Sequence, residues 1–566
     1  MSLIIAKNRE AVSELVEPDM AKWAIYQLSH NRESFSKYLV DQSIDHILNL
    51  LGNNSKRLNE EIAKALYLER LRMKAEPWKV DPPDEKAFWG KVNDALVEHS
   101  LKKPNEQDPD EQINLFRSIV ERYAHEIIGT FSPPHYRFST KVVSTGIARL
   151  LNAVSSKRLF SSELHLNDRL KITGPIETIR QLSTQGTLLL TPTHFSNLDS
   201  LLVGWCISSI GLPAFLYGAG LNLFNGKFFG YFMNRLGAYK VDRRKKNLIY
   251  IETLKKYSQL TLQRGCHSLF FPGGTRSRSG QIETSLKLGL LGSAIEAQRM
   301  NFVEAAANNT QANKIFVVPL AINYHFVLEA NSLIDEHLKR SGKERYFIDR
   351  DEFPGTLMMF QFMRKFFSIQ SEVVLSFGEP IDIFGNTVDA QGNSYDKHGK
   401  KVDISAYFLS DGTYKPDYQR DSEYTKMLAN YIVKGNLRAN TVLSSHLVAF
   451  AAFEILVRKN RRMDLYGLLR LPEDECIIPH KHLVSVIELL QKELIQRAQY
   501  HELHIADNIT ASADTIIEHA LANLGIYHAV PPLKLDAANN QFIAQSMNLL
   551  YFYHNRLMGY ELEQLI

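Results

Sequence analysis

The stretch Thr187-Leu-Leu-Leu-Thr-Pro-Thr-His194-Phe-Ser-Asn-Leu-Asp199-Ser200 sets the tightest limit on the fold. Its apolar start is too short for a helix and is closed by a proline, so it reads as a buried strand. The uncharged residues from Ser200 onward read as a buried helix. In a continuous helix, residues five apart diverge by about 140°. His194 and Asp199 therefore meet only if the motif straddles a turn between strand and helix. The spacing predicts a strand ending at Pro192, Ser196 as helix N-cap and Asp199 at N3, with His194 on the loop above. A carboxylate bonded to one imidazole nitrogen fixes the tautomer and leaves the other nitrogen to take a proton near neutral pH. Read alone, the same pair also fits a capping acid beside a satisfied loop histidine.

The neighbouring sequence alternates in the same way. Runs at 170–174, 187–191, 214–217, 268–271, 316–322 and 373–377 read as strands, with helical patterns between them, one at 176–182. This predicts an α/β domain over 166–385, a mixed, largely parallel sheet flanked by helices that carries its chemistry in loops at the strand ends. Residues 1–165 are expected to form a helical bundle: 44–51, 60–69 and 112–121 place apolar residues at three-and-four spacing, with breaks at Gly52–Ser55, Pro82-Pro83 and Ser132-Pro-Pro134. Residues 386–418 are dense in turn formers and suggest a hairpin-bearing excursion. From 419 to 566 the pattern is helical again, and 444–454 is apolar nearly all round, as a buried helix would be. No internal repeat is expected.

Composition works here by exclusion. A net charge of +4 argues against a wholly basic nucleic-acid surface. Cys206, Cys266 and Cys476 lie too far apart for a disulfide framework or zinc spacing and read as reduced thiols. His501-Glu-Leu-His504 lacks the i, i+4 spacing of a zinc helix and reads as a surface helix, so no metal is expected. The first residues carry too short an apolar run for a secretory leader. Residues 200–226 hold no charge and no histidine, but Gly204, Gly211, Pro213, Gly218 and Gly220 interrupt them. They read as a buried helix, a strand and a loop rather than a span, with a membrane-facing use left open.

Two further stretches carry chemistry. Phe271-Pro-Gly273-Gly274-Thr275-Arg276-Ser277-Arg278 follows a strand. Paired glycines let backbone N–H groups approach a ligand, and the arginines present a planar fork suited to phosphate. The same residues also fit a turn with surface arginines. Gly237-Ala-Tyr-Lys240-Val-Asp-Arg243-Arg-Lys-Lys246 ends in four successive cations. Lys245 and Lys246 read as a solvated face, whereas Arg243, after an apolar run, is expected to point inward as an anion ligand. The cluster also suits anionic lipid headgroups.

In this order the motifs resemble the glycerolipid acyltransferase superfamily. His194-Phe-Ser-Asn-Leu-Asp199 matches its histidine–four residues–aspartate block, and Gly237 to Arg243 looks like its second block. Phe271 to Ser277 looks like the third, Val317-Val-Pro319-Leu-Ala-Ile322 like the fourth, and Val374 to Ile381 like the strand that closes the domain. The long flanks are more similar to glycerol-3-phosphate acyltransferases than to the compact lysophosphatidate acyltransferases. The third block usually has glutamate where this chain has Gly273, which leaves the acceptor's pose open.

The resemblance implies transfer of a long-chain acyl group from acyl-CoA or acyl-carrier protein to the sn-1 hydroxyl of glycerol 3-phosphate, giving lysophosphatidate, with no cofactor beyond the co-substrate. It implies His194 as general base and Asp199 as its orienting acid. The substrate side falls to Lys240, Arg243, Gly273, Gly274, Thr275, Arg276, Ser277, Arg278 and Pro319. Phe224, Phe228, Phe229 and Phe232 are walls for the acyl chain, membrane contacts or plain core. Lysophosphatidate or dihydroxyacetone phosphate as acceptor, or a catalytically reduced lipid-binding homologue, are the alternatives. Peripheral attachment at the cytoplasmic side of a membrane is expected, since the products are lipids. The oligomeric state is left open.

Overall fold

The computed structural model describes residues 13–75, 78, 80–102, 108–141, 170–221, 231, 233–341, 372–524 and 528–566. Phe224, Phe228, Phe229 and Phe232 lie outside the described residues. The centre is an 11-stranded sheet. Its strands are β1 (Leu170–Thr173), β2 (Gly186–Pro192), β3 (Leu216–Gly220), β4 (Ala238–Val241), β5 (Ser268–Leu269), β6 (Lys314–Tyr324), β7 (Val373–Phe377), β8 (Ile381–Asp382), β9 (Thr387–Val388), β10 (Ser394–Tyr395) and β11 (Lys401–Val402).

Strands β6, β2, β5, β3 and β4 run parallel in that order. On its other side β6 pairs antiparallel with β7 through Leu320–Tyr324 and with β8 through Phe316 and Val317. Pro319 falls between those two partners, where a missing N–H costs no ladder bond. The mixed, largely parallel sheet expected from the sequence is present.

Burial on both faces explains the apolar runs. Leu188 and Leu190 of β2, with Phe316, Val318 and Leu320 of β6, face the helices Asp199–Ser209 and Ser444–Lys459. Leu189, Ile315 and Val317 face the helices Leu248–Gln263, Leu288–Asn308 and Tyr418–Ala439. The period of two along each strand assigns alternate residues to the two layers. Residues 444–456 are buried throughout, as the all-round apolar pattern requires.

The N-terminal helices Arg32–Leu50, Ser55–Ala75, Glu85–Leu101 and Pro109–Ile127 contain the three predicted periodic segments. Their core, including Phe35, Ile62, Trp89, Phe116 and Tyr123, is continuous with Tyr239 of β4 and with Ile249 and Tyr257 of the helix Leu248–Gln263. Asn247 joins the two parts chemically. Its side chain caps that helix at Tyr250 N and donates to Glu69 Oε1 and Tyr123 Oη.

Three expectations need correction. The interval after β7 holds a seven-residue repeat built on Asp382, Asp389 and Asp396, each with a glycine three residues later at positive φ: Gly385 (86°), Gly392 (72°) and Gly399 (75°). Each aspartate Oδ1 accepts from two backbone N–H groups of its own turn, as Asp389 does from Gln391 and Asn393 at 2.9 and 2.8 Å. Successive turns fold β8 to β11 into hairpins that extend the central sheet. The period is short and two of its turns share only Asp and Gly, so the polar composition hid it. His501 to His504 is not a helix: the helix His480–Gln499 has ended, His501 has φ 58°, and His504 opens a two-residue strand. The third correction is the start of the helix after His194, which begins at Asp199 and not beyond Ser196.

Candidate active site

The parallel strands bring the singled-out motifs to one end of the sheet. His194 follows β2, the Pro272–Arg278 loop follows β5, and Asp242 and Arg243 follow β4. Loops at the carboxyl ends of parallel strands are where such sheets bind ligands.

Asp199 sits at the first turn of its helix, fully buried. Its Oδ2 accepts from His194 Nδ1 at 2.8 Å and from the Phe195 and Ser196 amides at 2.6 and 2.9 Å. Its Oδ1 accepts from Tyr324 Oη at 2.5 Å. Ser196 is therefore not the N-cap, yet its N–H still reaches back to Asp199, half of the predicted capping box. Four donors offset the cost of burying the charge. With Nδ1 committed, Nε2 is the nitrogen of His194 left to take a proton. The imidazole stacks on Phe271, centroids 4.1 Å apart, which fixes the ring plane.

The glycine loop meets this turn directly. Ser277 N–H donates to His194 O at 2.7 Å, and Ser277 Oγ donates to Gln281 O. Gly274, with φ 80°, donates its N–H to Phe271 O and closes the Phe271–Gly274 turn. Arg276 lies 3.4 Å from Glu329 Oε1. Glu329 also accepts from Ser196 Oγ and from Asn197 N, both at 3.0 Å, so one carboxylate holds both the arginine and the histidine turn. Arg278 pairs with Glu336 at 2.7 Å and donates to Thr275 Oγ1 at 3.0 Å.

The basic cluster after β4 is arranged differently from expectation. Arg243 is exposed and Lys240 half-buried, while Arg244 and Lys245 turn inward. Arg244 bonds Asp242 and Asp81 and lies over Trp78 at 4.0 Å. Lys245, read as solvated, is buried on Glu126 at 2.5 Å. The N-terminal helices supply Glu69, Arg72, Glu85 and Glu126 to the same network. The sequence misread it because those carboxylates lie more than a hundred residues upstream. Strand β4 is three places from β2, roughly 14 Å at the usual strand spacing. Pro319 packs its ring against Gly378 and Gly435, and a Cβ at Gly435 would lie 2.5 Å from it.

Four residues around the site escaped the sequence reading: Tyr324, Glu329, Glu283 and Arg556. The first two close the end of β6, a position that strand-end logic could have flagged. Arg556 arrives from the far end of the chain. It bonds Ile322 O and, at 2.7 Å, Asn323 Oδ1, and lies 3.8 Å over the Phe195 ring.

Residues 174–323, which hold the strands that build the site, match the protein-family model described as Acyltransferase. Among curated proteins, the chain is 25% identical to the glycerol-3-phosphate acyltransferase of Alteromonas mediterranea across 60% of this chain and 36% of that one. It is 26% identical to the Pseudomonas aeruginosa protein of the same name across 51% and 31%, and 30% identical to that of Histophilus somni across 30% and 20%. The matched stretch thus spans about a third or less of the length of these relatives.

Proposed function

We propose that this chain transfers an acyl group from a thioester, acyl-CoA or acyl-carrier protein, to the sn-1 hydroxyl of glycerol 3-phosphate. The observation that carries the reading is His194 Nδ1 on the buried Asp199 carboxylate at 2.8 Å, on a loop bonded to the arginine-bearing turn. His194 Nε2 takes the hydroxyl proton as the oxygen attacks the thioester carbonyl carbon. The tetrahedral intermediate collapses, the C–S bond breaks, and the imidazolium returns the proton to the leaving thiolate. Asp199 stabilises the imidazolium between these steps. The scheme uses no metal and no further cofactor.

Arg276 is the proposed seat of the acceptor phosphate, with Arg278 behind it. Glycerol 3-phosphate is short compared with the distance between β2 and β4, which favours these arginines over Lys240 and Arg243 as direct contacts. Exposed Arg243 and Lys246 are instead suited to anionic headgroups at the membrane surface that receives the product. No described helix is long and apolar enough to cross a membrane. Peripheral attachment at the cytoplasmic face is part of the proposal, and flotation with liposomes containing or lacking anionic lipid tests it.

Gly273 favours one competing reading, a different acceptor such as lysophosphatidate or dihydroxyacetone phosphate. Free-thiol release with a long-chain donor and each acceptor in turn separates these. Glycerol 3-phosphate is expected to give the highest rate, and His194→Ala to lower it by about 10²–10⁴-fold. No thiol above background with glycerol 3-phosphate, or a His194→Ala rate equal to the parent's, would sink the proposal.

A further inference from the structure

Gly273 leaves a gap in the third motif, and the structure fills it from elsewhere. A Cβ built on Gly273 would lie 2.8 Å from Glu283 Oε1, 2.9 Å from its Cγ and 3.1 Å from its Cδ. The Glu283 side chain therefore occupies the volume that a side chain at 273 would need. The carboxylate missing from the motif returns ten residues along the same loop.

Its surroundings point to a ligand. Glu283 Oε1 is sealed from solvent and has no hydrogen-bond partner. Asp199 beside it has four donors, whereas this carboxylate oxygen has none. An unpartnered buried carboxylate oxygen is costly and calls for a donor that arrives later. Burial pushes the Glu283 carboxyl up; the Glu283 amide, the Arg556 guanidinium and the His194 amide oppose that rise, and Asp199 adds to it. Glu283 thus shares the histidine turn with the proposed base. A glycerol-type acceptor carries two neighbouring hydroxyls. When one is at His194, the next needs its own acceptor.

We propose that Glu283 Oε1 accepts the hydrogen bond of the non-reacting, middle hydroxyl of the acceptor, so that Glu283 rather than residue 273 sets acceptor specificity. The assignment rests on the functional reading above.

The test compares kcat/KM for glycerol 3-phosphate with that for 3-hydroxypropyl phosphate, which keeps the phosphate and the reacting hydroxyl but lacks the middle one. Glu283→Ala is expected to lower the value for glycerol 3-phosphate by roughly 10–100-fold and to leave the analogue nearly unchanged. Glu283→Gln, which keeps an acceptor oxygen, falls between. Gly273→Glu alone crowds two carboxylates into one space and lowers activity. Combined with Glu283→Ala it restores discrimination between the two acceptors. Equal losses on both acceptors, or none on either, would overturn the assignment. Thermal unfolding of each variant guards against a misfolded protein, and the near-isosteric Glu283→Gln carries the comparison if Glu283→Ala does not fold. A parent inactive with both acceptors overturns the functional reading and this assignment together. A parent active with glycerol 3-phosphate confines any failure to Glu283.

Discussion

Asp199 is held by donors from two sides: the His194–Ser196 turn at Oδ2 and Tyr324 at Oδ1. Asp199→Asn can keep its oxygen toward the turn, because Tyr324 Oη can rotate to accept from the new amide. Geometry then survives but the charge that stabilises the imidazolium is gone, and kcat is expected to fall about 10²–10⁴-fold. Tyr324→Phe removes one donor and keeps the charge. It should cost about 1–3 kcal/mol of stability and change kcat less than Asp199→Asn does. Thiol-release rates and urea unfolding on the two variants check this contrast. Glu283 makes a separate prediction. Burial pushes its carboxyl up to about 7, so the folded state keeps a proton that the unfolded chain releases near pH 4.5. Its contribution to stability therefore falls as pH rises from about 4.5 to about 7. Glutamine does not titrate, so the unfolding midpoint of Glu283→Gln should match the parent at pH 5 and exceed it at pH 8. A constant offset across that range would contradict the assignment.

At the scale of elements, the strand ends were legible because period, proline and motif order all concern neighbours in sequence. The histidine turn and the arginine loop meet because β2 and β5 are adjacent parallel strands, a non-sequential pairing that chain order does not give. What brings Arg556 and Glu283 into the site is tertiary, and no local pattern announces it. The loop that carries Glu283 is pinned from outside: Asn555 donates to Ser279 O at 2.9 Å, and Gly280 lies against the Phe552 backbone. A Cβ at Gly280 would be 2.1 Å from Phe552 O, and its φ is +83°. Gly280→Ala must therefore move the loop or the helix Met547–His554. It is expected to destabilise the protein by roughly 1–3 kcal/mol and to lower kcat/KM with it. Gly90→Ala, in the helix Glu85–Leu101 with open space around it, should instead stabilise by about 0.5–1 kcal/mol and leave activity alone. Equal effects at the two positions would show that helix propensity, not the loop contact, is being measured.

Across the whole molecule, one apolar core runs from the sheet into the C-terminal helices, and its polar seams are closed by neutral histidines. His446 accepts from Leu443 N–H at Nδ1 and donates from Nε2 to Tyr324 O, a pattern that only the neutral ring satisfies. His267 Nδ1 likewise accepts from Leu188 N–H. Burial lowers His267 and His528 to about 4 and His325 to about 3, and drives His446 well below its ordinary value. The sequence shows these histidines but not their burial, which depends on contacts with residues distant in the chain, such as Leu188 for His267 and Tyr324 for His446. Their linkage has a definite sign. In the unfolded chain each ring takes a proton near pH 6.5, while in the fold it stays neutral to about 4 or lower. Their contribution is therefore complete above pH 6.5 and is lost as pH falls toward 4. Glu283 works in the opposite direction over part of that window. These four histidines take up protons on unfolding as pH falls below 6.5, while Glu283 releases one, so among these groups the histidines set the direction of the slope. Denaturant midpoints measured from pH 8 to pH 5 should hold to about pH 6.5 and then drop steeply. His446→Asn, which offers an acceptor and a donor without titrating, should make the drop shallower while lowering stability at pH 8. A midpoint that stays level or rises on acidification would mean that these rings are charged in the fold, and the seam between sheet and C-terminal helices would need a different account.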